Sequence, residues 1–297
     1  MPIDTHELMK QVSRIRVFTN KIVNEQLSGE YLSVFKGQGI EFDEVREYVP
    51  GDDIRAIDWN VTARMGHPFV KRFCEERELT IIFMVDISGS QCFGSKTKSK
   101  AELAAEITCL LALSAIKNQD KVGLLLFSDR IEKFIPPRKG RKAAIRLVRE
   151  VLAAAETRRN TNIASALRFI NNVQKRKAVI FLISDFISPS YTNELRVTAK
   201  RHDVICCYVY DPLEKTLPTA GIMEIEDPET GELYFLDTDC EQTRKIFKEK
   251  AEQEEKEIKD LFTRFKIDHL NASTDKTFID DLRKLFHKRQ LRVSHGR

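Results

Sequence analysis

Glu78-Leu-Thr-Ile-Ile-Phe-Met-Val-Asp-Ile-Ser-Gly-Ser90 decides the fold. Within it, Ile81 to Val85 form an unbroken apolar run, rich in β-branched residues and too short for a buried helix. Such a run reads as a strand covered on both faces, the central strand of a parallel sheet. The strand stops at Asp86, and Ser88 and Ser90 follow in Asp-x-Ser-x-Ser spacing, with Gly89 free to turn the loop sharply. Three small oxygen donors therefore gather at one strand's carboxyl end, the edge where open α/β sheets bind their ligands. Hard cations such as Mg2+ prefer oxygen donors of this kind, although a plain polar turn after a strand would carry the same residues.

Two more stretches point to the same edge. Arg158-Arg-Asn-Thr-Asn-Ile-Ala-Ser-Ala-Leu167 puts Thr161 and Asn162 just ahead of a helix, and Ala178-Val-Ile-Phe-Leu-Ile-Ser-Asp-Phe186 is a second buried strand ending in Asp185. Together Asp86, Ser88, Ser90, Thr161 and Asp185 resemble the metal-ion-dependent adhesion site of von Willebrand factor A domains, in that order along the chain. The resemblance implies that Ser88, Ser90 and Thr161 ligate a divalent ion directly, while Asp86 and Asp185 hold its shell through water. Mg2+ is the expected ion, with Mn2+ or Ca2+ as alternatives. Mg2+ keeps several waters in near-octahedral geometry, so neutral hydroxyls backed by outer carboxylates suit it. The resemblance leaves one coordination position for an acidic side chain of a partner.

Composition sets the frame around that site. A chain of 297 residues, 42% of them hydrophobic, can bury one large core and carry an attachment. The net charge of +4 and a pI near 8.6 fall short of the strongly basic footprint of a nucleic-acid binder. The N-terminal residues Met1 to Lys10 lack a basic region followed by an apolar core, and no apolar stretch approaches the ~20 residues that a membrane span needs. A cytoplasmic protein is the expectation. Cys74, Cys92, Cys109, Cys206, Cys207 and Cys240 show no C-x-x-C spacing, and Cys109, Cys206 and Cys207 lie in apolar runs where free thiols pack, so reduced, structural cysteines are the expectation.

In chain order, residues 1–29 are expected to hold one amphipathic helix, over about Thr5 to Leu27, ended by Ser28-Gly29. Residues 30–76 turn to short β-prone runs, with alternation over Glu41 to Val49 predicting a half-exposed strand in a small antiparallel appendage. Residues 77–297 alternate strand and helix patterns, which calls for a mostly parallel sheet with helices on both faces. The expected fold class is therefore α/β and Rossmann-like, and the resemblance above implies the von Willebrand factor A type. Arg130 to Ile135 reads as an edge strand blocked by Pro136-Pro137, and a hairpin near residues 211–239 interrupts the alternation. A short strand at Lys266 to Leu270, a helix near Phe278 to Lys288 and a frayed basic tail from Arg289 are expected to close the domain.

The block from Gly39 to Trp59, with Ala63-Arg64 and Pro68-Phe-Val-Lys-Arg-Phe73, is more specific than folding requires. With Arg201-His-Asp-Val204, Asp211-Pro-Leu-Glu214 and Asp227-Pro-Glu-Thr-Gly-Glu232, it closely resembles an uncharacterised bacterial family that carries an A-like domain and is associated with MoxR-type AAA+ ATPases. That resemblance implies a metal-dependent adaptor or assembly factor whose partners are a MoxR-type ATPase and other A-domain proteins. On their own chemistry, Asp52, Asp53, Arg55, Asp58 and Arg64 around Trp59 read as a charged network locking turns.

Two other classes compete. A Mg2+ phosphohydrolase using Asp86 as nucleophile would resemble haloacid dehalogenases, but these need a second acid two residues later, where Ser88 stands. No Gly-x-Ser-x-Gly elbow, phosphate-cradling loop or His-Glu-x-x-His helix appears, so the expectation is a non-enzyme. Arg138-Lys139-Gly-Arg141-Lys142 with Arg146 and Arg149 could track phosphates. Without interleaved aromatics they read as a solvated helix face.

Overall fold

A computed structural model describes Ile22 and residues 40–75, 78–95, 98–154 and 159–295. The helix expected over residues 5–27 thus lies outside the described residues, apart from Ile22, which is helical and buried. The chain divides into two compact units, one spanning Phe35–Leu79 and the other holding everything from Thr80 onward.

In the smaller unit, β1 (Ile40–Glu47) pairs antiparallel with β2 (Phe69–Glu75). Between them the acidic residues act as caps. Asp52 takes Arg46 on both oxygens at 2.6 and 2.8 Å, Asp53 accepts from the Arg55 amide, and Asp58 accepts from the Asn60 and Val61 amides. Asp58 thereby starts a short helix, α1 (Trp59–Met65), which Gly66 ends at φ 80°. The β-only expectation for this stretch missed that helix, because Trp, Asn, Val and Thr carry little helix propensity and only the caps mark it. Trp59 itself is 67% exposed.

The larger unit is built on a six-stranded sheet in the order β10-β7-β6-β3-β4-β5. Its strands are β3 (Thr80–Asp86), β4 (Lys121–Phe127), β5 (Ile131–Arg138), β6 (Val179–Ser184), β7 (Asp203–Tyr210) and β10 (Asp268–Ser273). All neighbours run parallel except β5, which is antiparallel to β4. In β3, Ile82 and Met84 pack against α4 (Ile163–Val173), Leu195 of α5 (Thr192–Arg201) and Phe262 of α6 (Glu241–Arg264). Ile81, Phe83 and Val85 alternate to the opposite face and are as fully buried, which is why the run reads as apolar throughout. Phe83 stacks on Phe181 of β6 at 5.6 Å. The helices α2 (Lys100–Lys117) and α3 (Arg141–Ala153) pack on each other and on β4. The larger unit is thus a mixed α/β structure around a central, mostly parallel sheet.

Three sequence expectations need correction. β5 runs through Pro136-Pro137 rather than stopping there. It is an edge strand with a register shift opposite Val122 and Leu124, and a side chain at Gly123 would meet the Pro137 ring at 3.0 Å. The strand expected at residues 266–270 sits at 268–273, because Phe265 and Lys266 finish the helix turn, Lys266 at φ 55°. The last helix, α7 (Ile279–His295), swallows most of the expected frayed tail. Arg289 is ion-paired with Asp203, and Arg292 with Asp268 at 2.7 Å, which ties the tail to the sheet edge. In the basic cluster, Arg146 and Arg149 gather on Glu150, which Lys133 of β5 also meets.

Candidate metal centre

The chain leaves β3 for β4 on one side and later returns to β6 on the other, so the sheet order reverses between β3 and β6. Their carboxyl ends are adjacent, with Val85 paired to Ile183, at the kind of switch point where open α/β sheets bind ligands. Asp86 and Asp185 sit at those two ends, 1% and 2% exposed.

Hydrogen bonds join the acids and hydroxyls into one chain. Asp86 accepts from the Ser88 amide on Oδ1 at 3.0 Å and from the Ser184 hydroxyl on Oδ2 at 2.6 Å. The Ser88 and Ser90 hydroxyls are 3.2 Å apart, and Ser90 donates to Asp185 Oδ2 at 2.7 Å. A hydroxyl whose proton is held by a carboxylate keeps its lone pairs for a cation, as ligation requires. Thr161 follows the same rule with a different acid: its hydroxyl donates to Glu229 Oε1 at 3.1 Å. Thr161 is 2% exposed, and its loop is tied to the Ser88–Ser90 loop by the Gly89 amide donating to the Arg159 carbonyl at 2.9 Å.

Sequence reasoning missed the neighbours that set the charge. Lys100 is fully buried and donates to Asp185 Oδ2 at 2.8 Å and Glu214 Oε1 at 2.5 Å. Burial pulls its pKa down, but the Asp185 and Glu214 carboxylates outweigh this and hold it above the ordinary lysine value. Glu214 and Asp211 close the Asp211-Pro-Leu-Glu214 motif as a capping box, and Asp211 also accepts from the Ser95 amide and the Thr274 hydroxyl. A signal did exist for Lys100. It opens α2 directly after the Ser99 N-cap, where the helix dipole disfavours a cation, so another force must hold it there.

One ammonium does not balance Asp86, Asp185, Glu214 and Glu229, and the deficit shows on the carboxyls. Burial, with the charge of Asp185, pushes Asp86 up to about 7. Burial outweighs Lys100 in raising Glu214, and burial with Asp185 raises Glu229. Among the described residues no group of three His, Cys, Asp or Glu side chains is placed to hold a metal. The donors here are instead hydroxyls backed by two carboxylates, and the unbalanced negative charge suits a hard divalent cation.

The backbone after Asp185 is strained. Phe186 has φ 61°, a left-handed conformation rare for a bulky side chain. It is held there by Phe262, edge-on at 5.0 Å, by Tyr191, and by its own amide donating to the Ser184 hydroxyl at 3.0 Å. Strain of this kind persists only where surrounding packing over-determines it, and here it falls directly after Asp185.

Comparisons with known proteins place these observations. The family described as "Protein of unknown function DUF58" matches residues 44–257. The uncharacterized protein Rv1480 of Mycobacterium tuberculosis (strain ATCC 25618 / H37Rv) is 29% identical over 77% of this chain and 73% of its own length. Among solved structures, the conserved hypothetical protein BatB from Bacteroides thetaiotaomicron is 16% identical, with a TM-score of 0.47 over 71% of this chain and 98% of that one. The SpRpn10 VWA domain is 12% identical, with a TM-score of 0.30 over 44% and 75%. Both structural likenesses are partial.

Proposed function

The chain belongs to the DUF58 family, and we propose from the chemistry of its own site that it is a protein-recognition module that works through a divalent cation. Ser88, Ser90 and Thr161 would hold the cation, and the carboxylates of Asp86 and Asp185 would balance its charge. Bound Mg2+ would offer a Lewis-acidic position to a carboxylate. The observation that carries the reading is the hydrogen-bonded chain from Asp86 through Ser88 and Ser90 to Asp185, which draws oxygens from two strand ends into one cluster. In this reading the larger unit is a von Willebrand factor A-like domain, and the partner contributes an Asp or Glu.

The same residues support recognition over phosphoryl transfer. Both oxygens of Asp86 are engaged and its carboxyl is shut from solvent, which suits a buried counter-charge better than a nucleophile. Among the described residues no helix is long and apolar enough to cross a membrane.

By family resemblance we assign the partner as a MoxR-type AAA+ ATPase in the cytoplasm, with this chain as adaptor or assembly factor. Purified ATPase from the same source tests it by surface plasmon resonance. Binding is expected in Mg2+ and to weaken at least ~10-fold in chelator, as loss of a metal-borne contact does. Asp86→Ala is expected to bind equally weakly in both buffers. Equal affinity of the wild type in Mg2+ and chelator would dismiss the metal-borne contact.

A further inference from the structure

The hairpin after β7 reaches back to the site. Its strands are β8 (Ile222–Glu226) and β9 (Leu233–Asp237), joined by Asp227-Pro-Glu-Thr-Gly-Glu232. Asp227 fixes the turn by accepting from the Glu229 and Thr230 amides, at 2.8 and 3.3 Å. The turn then lies directly on the Ser88–Ser90 loop: a side chain at Gly89 would meet the Pro228 carbonyl oxygen at 2.2 Å. Gly89 is therefore needed for this close approach, while its own backbone is one that other residues can adopt. From this seat Glu229 reaches Thr161, accepting its hydroxyl proton on Oε1. Among the described residues its other oxygen, Oε2, has no hydrogen-bond partner.

Resting on the metal reading above, we propose that Glu229 is the site's own acidic ligand, occupying in the free protein the position that a partner's carboxylate takes when it displaces the hairpin turn. Three observations converge on this. Glu229 touches one of the three hydroxyls assigned to the cation. It is half-buried, and its seat on Thr161 brings a further carboxylate to a site that already holds Asp86 and Asp185, with Lys100 the described cation bonded to Asp185. The hairpin is also built to move at low cost. Its inner residues Met223, Ile225 and Leu236 are only half-buried, and Ile222, Leu233 and Phe235 are exposed. A two-stranded hairpin with so little burial is marginal by itself. Its base is anchored, since Thr238 is fully buried and bonds to Ala220 and Gly221, and Arg244 holds the Thr238 carbonyl. The fixed base and lightly held tip let the turn lift while the strands stay attached.

Full-length Glu229→Gln separates this proposal from the reading it rests on. Mn2+ binding is followed by the electron-spin resonance of the free ion, and amide exchange is followed across residues 222–237. Glu229→Gln is expected to bind Mn2+ on the order of 10-fold more weakly than wild type. Mn2+ is expected to slow exchange of the hairpin amides in the wild type and leave the variant unchanged. If wild type binds Mn2+ and Asp86→Ala does not, yet Glu229→Gln matches wild type in either affinity or hairpin protection, the self-ligand assignment is overturned and the metal site stands. If wild type takes up no Mn2+, both fall together.

Discussion

Asp86→Asn is expected to stabilise the protein in chelator at pH 8 and to abolish any stabilisation by Mg2+. The wild-type carboxyl sits between the Ser88 amide and the Ser184 hydroxyl with no exposure, and burial and Asp185 lift its pKa to about 7. A carboxyl whose folded pKa exceeds its unfolded value binds more protons in the native state. The metal-free protein therefore loses stability as pH rises from about 4 through about 7, by an amount on the order of 4 kcal/mol. Asparagine carries no charge to bury. Its oxygen can keep the Ser88 amide, and its amino group can donate to Ser184, whose oxygen already accepts from the Phe186 amide. In chelator at pH 8 the variant should exceed wild type by roughly 2–4 kcal/mol in urea unfolding. Mg2+ at one hundred times its dissociation constant should raise wild type by about 2.7 kcal/mol and leave the variant unmoved. A flat wild-type stability between pH 4 and 8 in chelator would refute the buried charge that the site depends on.

Lys100→Met is expected to be the most damaging single change at the site. The lysine is the one described cation bonded to Asp185, and its removal leaves the Asp185 and Glu214 carboxylates without the ammonium between them. Breaking a buried pair by removing one partner costs about 3–5 kcal/mol, because the remaining charge stays buried. For a unit of this size that lowers the melting temperature by roughly 10 °C. Methionine matches the length and packing of the lysine stem, so the loss reports charge rather than volume. Adding Glu214→Gln should recover part of the loss by removing one stranded carboxylate. A Lys100→Met protein as stable as wild type would mean that the ammonium is not what holds the Asp185 and Glu214 carboxylates, and it would take the site's charge balance with it.

Much of the architecture was legible because the sheet is parallel. Ile81 to Val85, Val179 to Ser184 and Val204 to Val209 are buried on both faces, so their apolar runs mark strands without any need of alternation. Legibility failed where long-range contacts decide. β5 tolerates two prolines because it is an edge, α7 extends because Arg289 and Arg292 find Asp203 and Asp268, and α1 is set by Asp58 and Gly66 rather than by propensity. The candidate site divides in the same way. Asp86, Ser88 and Ser90 share one loop, and Asp185 ends the other long apolar run, so spacing and position bring them out. Lys100, Ser184, Glu214 and Glu229 arrive from separate elements, and only the fold brings them in. Two of these, Glu214 and Glu229, lie in motifs already conspicuous in the sequence as Asp211-Pro-Leu-Glu214 and Asp227-Pro-Glu-Thr-Gly-Glu232. What those motifs do became visible only from where they end.

Central to all of this is the proposal that the hydroxyls of Ser88, Ser90 and Thr161 take up a divalent cation. Crystals soaked in Mn2+ and measured at a wavelength where manganese scatters anomalously test it most directly. Metal recognition requires one anomalous peak within coordination distance of the Ser88, Ser90 and Thr161 hydroxyls, and no such peak in Asp86→Ala. No peak in wild-type crystals at saturating Mn2+, with the Lys100 ammonium still the cation at Asp185, would contradict it.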